Sequence, residues 1–185
     1  MNNSKPRLII LSDLWGRERS GWLDFYAPVL DQKFRCEYFD CCELGDVRKD
    51  DYTQEALHRQ FVDGGIERAA KKLSETVTEK VYVLAFSVGG AVAWRSVFLG
   101  LDCAGLFAVS STRLRYEKEL FPVKTSLYFG SEDPYCPDED WAERTGTSLR
   151  VISGGGHALY MEEKFASKIA EEILEADLVG DLPKA

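Results

Sequence analysis

Short continuous apolar runs alternate along the chain with stretches in which apolar positions recur every three or four residues, the pattern of buried strands separated by amphipathic helices. Arg7–Leu11 (RLIIL) reads as a buried strand. Residues 21–30 read as a helix with Ser20 placed to cap it. Arg35–Phe39 reads as a weaker strand, and a polar loop follows through Asp51. Thr53 opens a long helical pattern to about Thr76, with an irregularity expected at Gly64-Gly65. Residues 80–86 (KVYVLAF) form the clearest strand, β-branched and aromatic throughout, and 88–99 follow as a helix rich in small apolar residues. Strands are expected at 104–109 and at 125–129, the second ended by Gly130. Glu139–Thr145 reads as a short helix, 149–152 as a last strand and 161–175 as a closing amphipathic helix; 177–185 read as a frayed tail.

This alternation predicts a three-layer α/β/α sandwich around a mostly parallel sheet of about six strands, in a single domain over residues 1–176. Ligands of such sheets bind outside the carboxyl ends of the strands, so the chemistry is sought there. Composition narrows the classes. At 185 residues the chain can bury roughly 70% of its exposable surface, enough for a core without staples. A formal net charge of −8, from 23 basic and 31 acidic residues, argues against nucleic-acid and anionic-membrane partners. No apolar run approaches the ~18 residues of a membrane span, and Met1 to Arg7 do not read as a signal peptide. The five cysteines (Cys36, Cys41, Cys42, Cys103, Cys136) are odd in number and include no CxxC pair. That predicts reduced thiols in a cytoplasm, with no disulfide framework and no metal site. Imidazole chemistry has two candidates, and His58, on the long helical stretch, reads as a surface residue.

Three segments follow strands and carry chemistry. Ala85-Phe86-Ser87-Val88-Gly89 is G-x-S-x-G with alanine in the first position. A sharp strand-to-helix turn would expose the Ser87 hydroxyl above the sheet, and small residues two before and two after let the backbones approach. Read alone, Ser87 could also be the N-cap of a helix packed tightly against the sheet. Asp133 lies just past the 125–129 strand, between Gly130 and Pro134, where it would orient an imidazole or simply form a turn. His157 follows the glycines Gly154-Gly155-Gly156 after the last strand, a position for a general base or for an exposed loop histidine. Taken together, Ser87, Asp133 and His157 stand in that chain order at one edge of the sheet.

With these segments the chain resembles the α/β-hydrolase family: AFSVGG is similar to its nucleophile elbow, GSEDPYCP to its acid loop and GGGHALY to its histidine loop. The resemblance runs from the strand at Arg7 to the helix ending near Glu175. It implies Ser87 as nucleophile, His157 as general base and acid, Asp133 as the orienting carboxylate, and main-chain N–H groups of Val88 and Leu14 as oxyanion donors. In the loop after the first strand the family commonly has His-Gly, where this chain has Ser12-Asp13. Relative to the family, the first two strands and the lid are missing. The implied function is hydrolysis of a small ester or thioester through an acyl-enzyme on Ser87, with a small-molecule acyl substrate and no cofactor. The alternatives are a catalytically inactive binding or interaction protein on the same fold, and a flavodoxin-like nucleotide or flavin binder. Trp15, Trp22 and Tyr160 either wall an acyl pocket or pack in the core. Arg113 and Arg115 either meet a substrate carboxylate or phosphate, or are solvated loop charges.

Overall fold

A computed structural model describes residues 5–176. The tail at 177–185 and the residues before Lys5, part of the segment searched for a signal peptide, lie outside the described residues. Six strands form one sheet: β1 (Arg7–Leu11), β2 (Arg35–Phe39), β3 (Val81–Phe86), β4 (Cys103–Val109), β5 (Thr125–Gly130) and β6 (Ser148–Ile152). Their order is β2-β1-β3-β4-β5-β6, and every pairing is parallel. The chain runs from β1 outward to β2 and then returns to the other side of β1 with β3. The crevice between the carboxyl ends of β1 and β3 is therefore the switch point at which such sheets bind ligands.

Because strand side chains alternate between faces, β3 sends Val83 and Ala85 into one core and Tyr82, Leu84 and Phe86 into the other. The first core is closed by α4 (Ile66–Thr76), α5 (Val88–Phe98) and α6 (Glu139–Thr145). The second is closed by the 21–30 segment and α7 (Glu163–Glu175). The three-layer sandwich is thus a consequence of two-sided burial of the central strands. Among the described residues no helix is long and apolar enough to cross a membrane.

Several local expectations change. Residues 21–30 are a 3-10 turn (Gly21–Phe25) followed by the single-turn α1 (Ala27–Leu30) with Pro28 in its first turn. Ser20 does not cap it; its hydroxyl turns back and donates to the Arg17 carbonyl at 2.8 Å. The stretch read as a polar loop through Asp51 contains α2 (Cys41–Leu44), capped by the buried Asp40 carboxylate, which accepts from Cys42 N–H at 2.7 Å. The long helical pattern is divided into α3 (Gln54–Gln60), capped by Thr53, and α4, with a kink at Asp63 and Gly64 where the irregularity was expected. Between β4 and β5, where a lid would be inserted, the chain makes only a 3-10 turn, Thr112–Tyr116.

The carboxyl end of β5 needs a residue without a side chain. A Cβ on Gly130 would lie 1.9 Å from the Gly155 carbonyl oxygen, main chain that cannot swing aside. Gly130→Ala is expected to lower stability by roughly 1–3 kcal/mol or more, whereas Gly21→Ala, whose methyl meets nothing within 4 Å, stays within about 0.5 kcal/mol of the parent. Urea unfolding of the two variants measures the difference.

Candidate functional site

β3 ends in Phe86 and α5 begins at Val88, so Ser87 alone makes the turn between them. Its backbone sits at φ 49°, ψ −114°, a conformation L-residues rarely adopt and one that costs about 1–3 kcal/mol. The turn is held by the Ser87 N–H, which donates to the Val109 carbonyl at 2.9 Å, and by close packing of the first turn of α5. A Cβ on Gly89 would come within 2.6 Å of the Ser12 carbonyl oxygen. The Ser87 hydroxyl makes no capping bond to α5, so the plain helix-cap reading does not describe it. It faces His157 instead, with Oγ 3.3 Å from Nε2.

Two loops carry the histidine and its carboxylate, and they are stitched together. Glu132 N–H donates to the Gly155 carbonyl at 2.9 Å, and Gly154 N–H donates to the Ser131 hydroxyl at 3.0 Å. The close pass of Gly130 beneath Gly155 brings the loops to this distance. Asp133 is 4% exposed. Its Oδ1 accepts from Tyr135 N–H at 3.0 Å, and its Oδ2 lies 2.9 Å from His157 Nδ1. The three side chains therefore form an unbroken line of hydrogen-bonding contacts from Oδ2 to Oγ. In that line Nδ1–H donated to the carboxylate leaves Nε2 unprotonated toward the hydroxyl. The imidazole side chain is 42% exposed, so it remains in reach of solvent.

Leu14 and Val88 border the same cavity, one from the loop after β1 and one from the first turn of α5. Neither N–H has an acceptor among the described residues. The amino end of α5 adds its partial positive charge. The Asp13 carboxylate, which would oppose an oxyanion, is turned away: Oδ1 accepts from Trp15 N–H at 2.9 Å and Oδ2 from the Tyr160 hydroxyl at 3.0 Å. Behind the loop, Cys42 S–H donates to the Leu14 carbonyl and Cys41 S–H to the Ser12 carbonyl, at 3.3 and 3.2 Å. Burial pushes both thiols up, Cys42 to about 12, which keeps them protonated as donors.

The cavity has a volume of about 600 Å³. Ser87, His157, Asp133, Leu14, Val88 and Arg113 all border it, and so do Arg115 and His58. His58 read as a plain surface residue in the sequence; it is exposed, yet α3 carries it to the rim. Trp15 and Tyr160 lie outside the lining. The Trp15 ring packs edge-on against Tyr52, with Arg19 stacked on it. Tyr160 is buried against Trp22 and Phe86 in the second core. Among the described residues, no group of three or more His, Cys, Asp or Glu side chains is placed to hold a metal ion.

No family model matches the chain. No curated protein matches it in sequence. Solved structures do match. A protein of the α/β-hydrolase superfamily from Xanthomonas campestris pv. campestris is 20% identical, covers 92% of this chain and 99% of its own, and has a TM-score of 0.64. An α/β-hydrolase-type protein of unknown function from Agrobacterium tumefaciens is 16% identical over 100% of this chain and 91% of its own, with a TM-score of 0.68. The NocB thioesterase domain, in covalent complex with a fluorophosphonate nocardicin G analog, is 13% identical over 94% and 95%, with a TM-score of 0.63. At these identities the likeness is one of fold.

Burial pushes the Asp13 carboxyl up from 3.8 to about 6; the hydrogen bonds from Trp15 and Tyr160 work against the rise, and the nearby Asp40 adds to it. The folded value lies above the unfolded one, so the unfolded chain releases this proton first. The stability this group permits is complete below about pH 4 and is lost as pH rises through 6. Asp13→Asn should therefore gain on the parent between pH 4 and pH 7 by up to roughly 3 kcal/mol. Urea unfolding at the two pH values reads this; a pH-independent difference would contradict it.

Proposed function

We propose that this chain, which has the α/β-hydrolase fold, is a serine hydrolase that cleaves a carboxylic ester or thioester through an acyl-enzyme on Ser87. The observation that carries the reading is the conjunction at Ser87: a strained backbone that presents Oγ above the sheet, and the Oγ–His157–Asp133 line it presents Oγ to. A serine that merely began a helix would need neither the strain nor the imidazole.

The chemistry follows from the geometry. His157 Nε2 takes the Ser87 proton as Oγ attacks the carbonyl carbon, and the Asp133 carboxylate holds the resulting imidazolium through Nδ1–H. The carbonyl electrons move to oxygen, which would accept hydrogen bonds from Leu14 and Val88 N–H. Nε2–H then protonates the leaving alkoxide or thiolate as the tetrahedral centre collapses to a Ser87 ester. Water enters from the open side, gives a proton to Nε2, attacks the acyl carbon and releases the acid with Ser87 restored. The short Thr112–Tyr116 turn, in place of a lid, suits short or flexible acyl groups. A non-catalytic binding role drew its support from the Ser12-Asp13 substitution; with the Asp13 carboxylate engaged by Trp15 and Tyr160, that support is gone.

Hydrolysis of p-nitrophenyl butyrate is expected in the parent protein. Ser87→Ala and His157→Ala should each reduce kcat by about a thousandfold or more, and Asp133→Asn by a similar order, with the effects non-additive in combination. Turnover that survives Ser87→Ala would sink the reading.

A further inference from the structure

The cavity beside Ser87 is positively charged although the chain as a whole carries −8. Arg113 and Arg115 flank the buried Leu114 in the Thr112–Tyr116 turn, and both border the cavity half-buried. Arg115 is fixed in place: one Nη donates to the Thr112 carbonyl and the other to the Tyr116 hydroxyl, each at 2.6 Å. Its guanidinium carbon lies 4.2 Å from the centre of the Tyr116 ring and 4.9 Å from that of Tyr135. Arg113 approaches the same Tyr116 ring at 5.4 Å.

Neither arginine is neutralised by a carboxylate among the described residues. The adjacent Glu117 is taken by Arg95 at 3.0 Å. Asp133, the one carboxylate on the cavity lining, is turned to His157. The charge is felt across the cavity: His58 is pushed below its usual value, first by burial and then by Arg113 and Arg115. The two rings, both exposed, orient the guanidinium, and its remaining N–H donors form a planar fork that matches a carboxylate or phosphate.

We infer that the Ser87 cavity selects acyl substrates bearing an anionic oxygen group, a carboxylate or a phosphate, remote from the scissile carbonyl, and that Arg113 and Arg115 receive that group. The inference rests on the serine-hydrolase reading and adds the substrate class to it. The anion sits either at the far end of the acyl chain or on the leaving group, and matched pairs of probes separate the two.

For the acyl side, mono-p-nitrophenyl adipate is compared with p-nitrophenyl hexanoate; for the leaving group, butyryl-coenzyme A with the butyryl thioester of N-acetylcysteamine. One anionic member is expected to exceed its neutral partner in kcat/KM by about tenfold or more. That ratio should shrink toward one in about 0.5 M salt, and in Arg113→Gln and Arg115→Gln, each checked for native circular dichroism. The salt arm uses the parent protein, so it stands even if a variant fails to fold. Ser87-dependent turnover with both ratios near one, or with a preference untouched by salt and by both substitutions, overturns the inference and leaves the hydrolase reading standing. Absence of Ser87-dependent turnover of every probe, anionic and neutral alike, overturns both.

Discussion

The site depends on one residue held where L-amino acids rarely go. At Ser87 the chain must leave a buried strand and enter a helix within a single residue, and the φ of 49° is the geometric cost of that corner. The corner persists because its surroundings over-determine it. Phe86 is fully buried on one side, Val88 and Ala91 pack on the other, and Gly89 and Gly90 leave no side chain to hold the helix off Ser12 and Ser111. A strain of a few kcal/mol is small against a core of this size but large for an isolated turn, so the packing of β3 and α5 is what makes the hydroxyl available.

Around that corner, three loops from strands far apart in sequence are locked to one another. Gly130 under Gly155 joins the carboxylate loop to the histidine loop. The Tyr160 hydroxyl, three residues beyond His157, reaches the Asp13 carboxylate and so joins the histidine loop to the loop after β1. Asp40, buried at the start of α2, accepts from Arg17 N–H at 2.8 Å and pairs with Lys49 at 3.3 Å, which fixes the far side of the same loop. A buried carboxylate with raised pKa in the loop after β1 is costly in itself. Here its negative charge is directed onto two donors rather than toward the place where a tetrahedral oxygen would form.

The sheet was legible because fully buried parallel strands are written as continuous β-branched and aromatic runs, with β3 the plainest case. The juxtaposition of Ser87, Asp133 and His157 was legible because each lies in the connection after a strand, so topology alone sends them to one edge. What the sequence concealed depends on contacts between distant segments. The 21–30 stretch has a helical pattern, but Gly21 and Pro28 interrupt it, and Trp22 and Tyr26 settle against Phe86 rather than along a regular helix. α2 is four residues long and takes its cap from Asp40, whose other partners come from elsewhere in the chain. Tyr160 offers an aromatic that could wall a pocket; its bond to Asp13 spans 147 positions and leaves no local trace. His58 and the Tyr135 clasp on Arg115 are hidden for the same reason, since only the folded chain brings α3 and the carboxylate loop to the cavity rim.

The central claim is that Ser87 Oγ is an activated nucleophile. Intact-mass analysis after exposure to a small alkyl fluorophosphonate tests it most directly, because phosphonylation requires the nucleophile, its base and an oxyanion site but no knowledge of the natural substrate. The account predicts a single stoichiometric adduct, mapped by peptide sequencing to Ser87 and absent from Ser87→Ala and His157→Ala. A natively folded protein that stays unmodified, or an adduct on any residue other than Ser87, would contradict it.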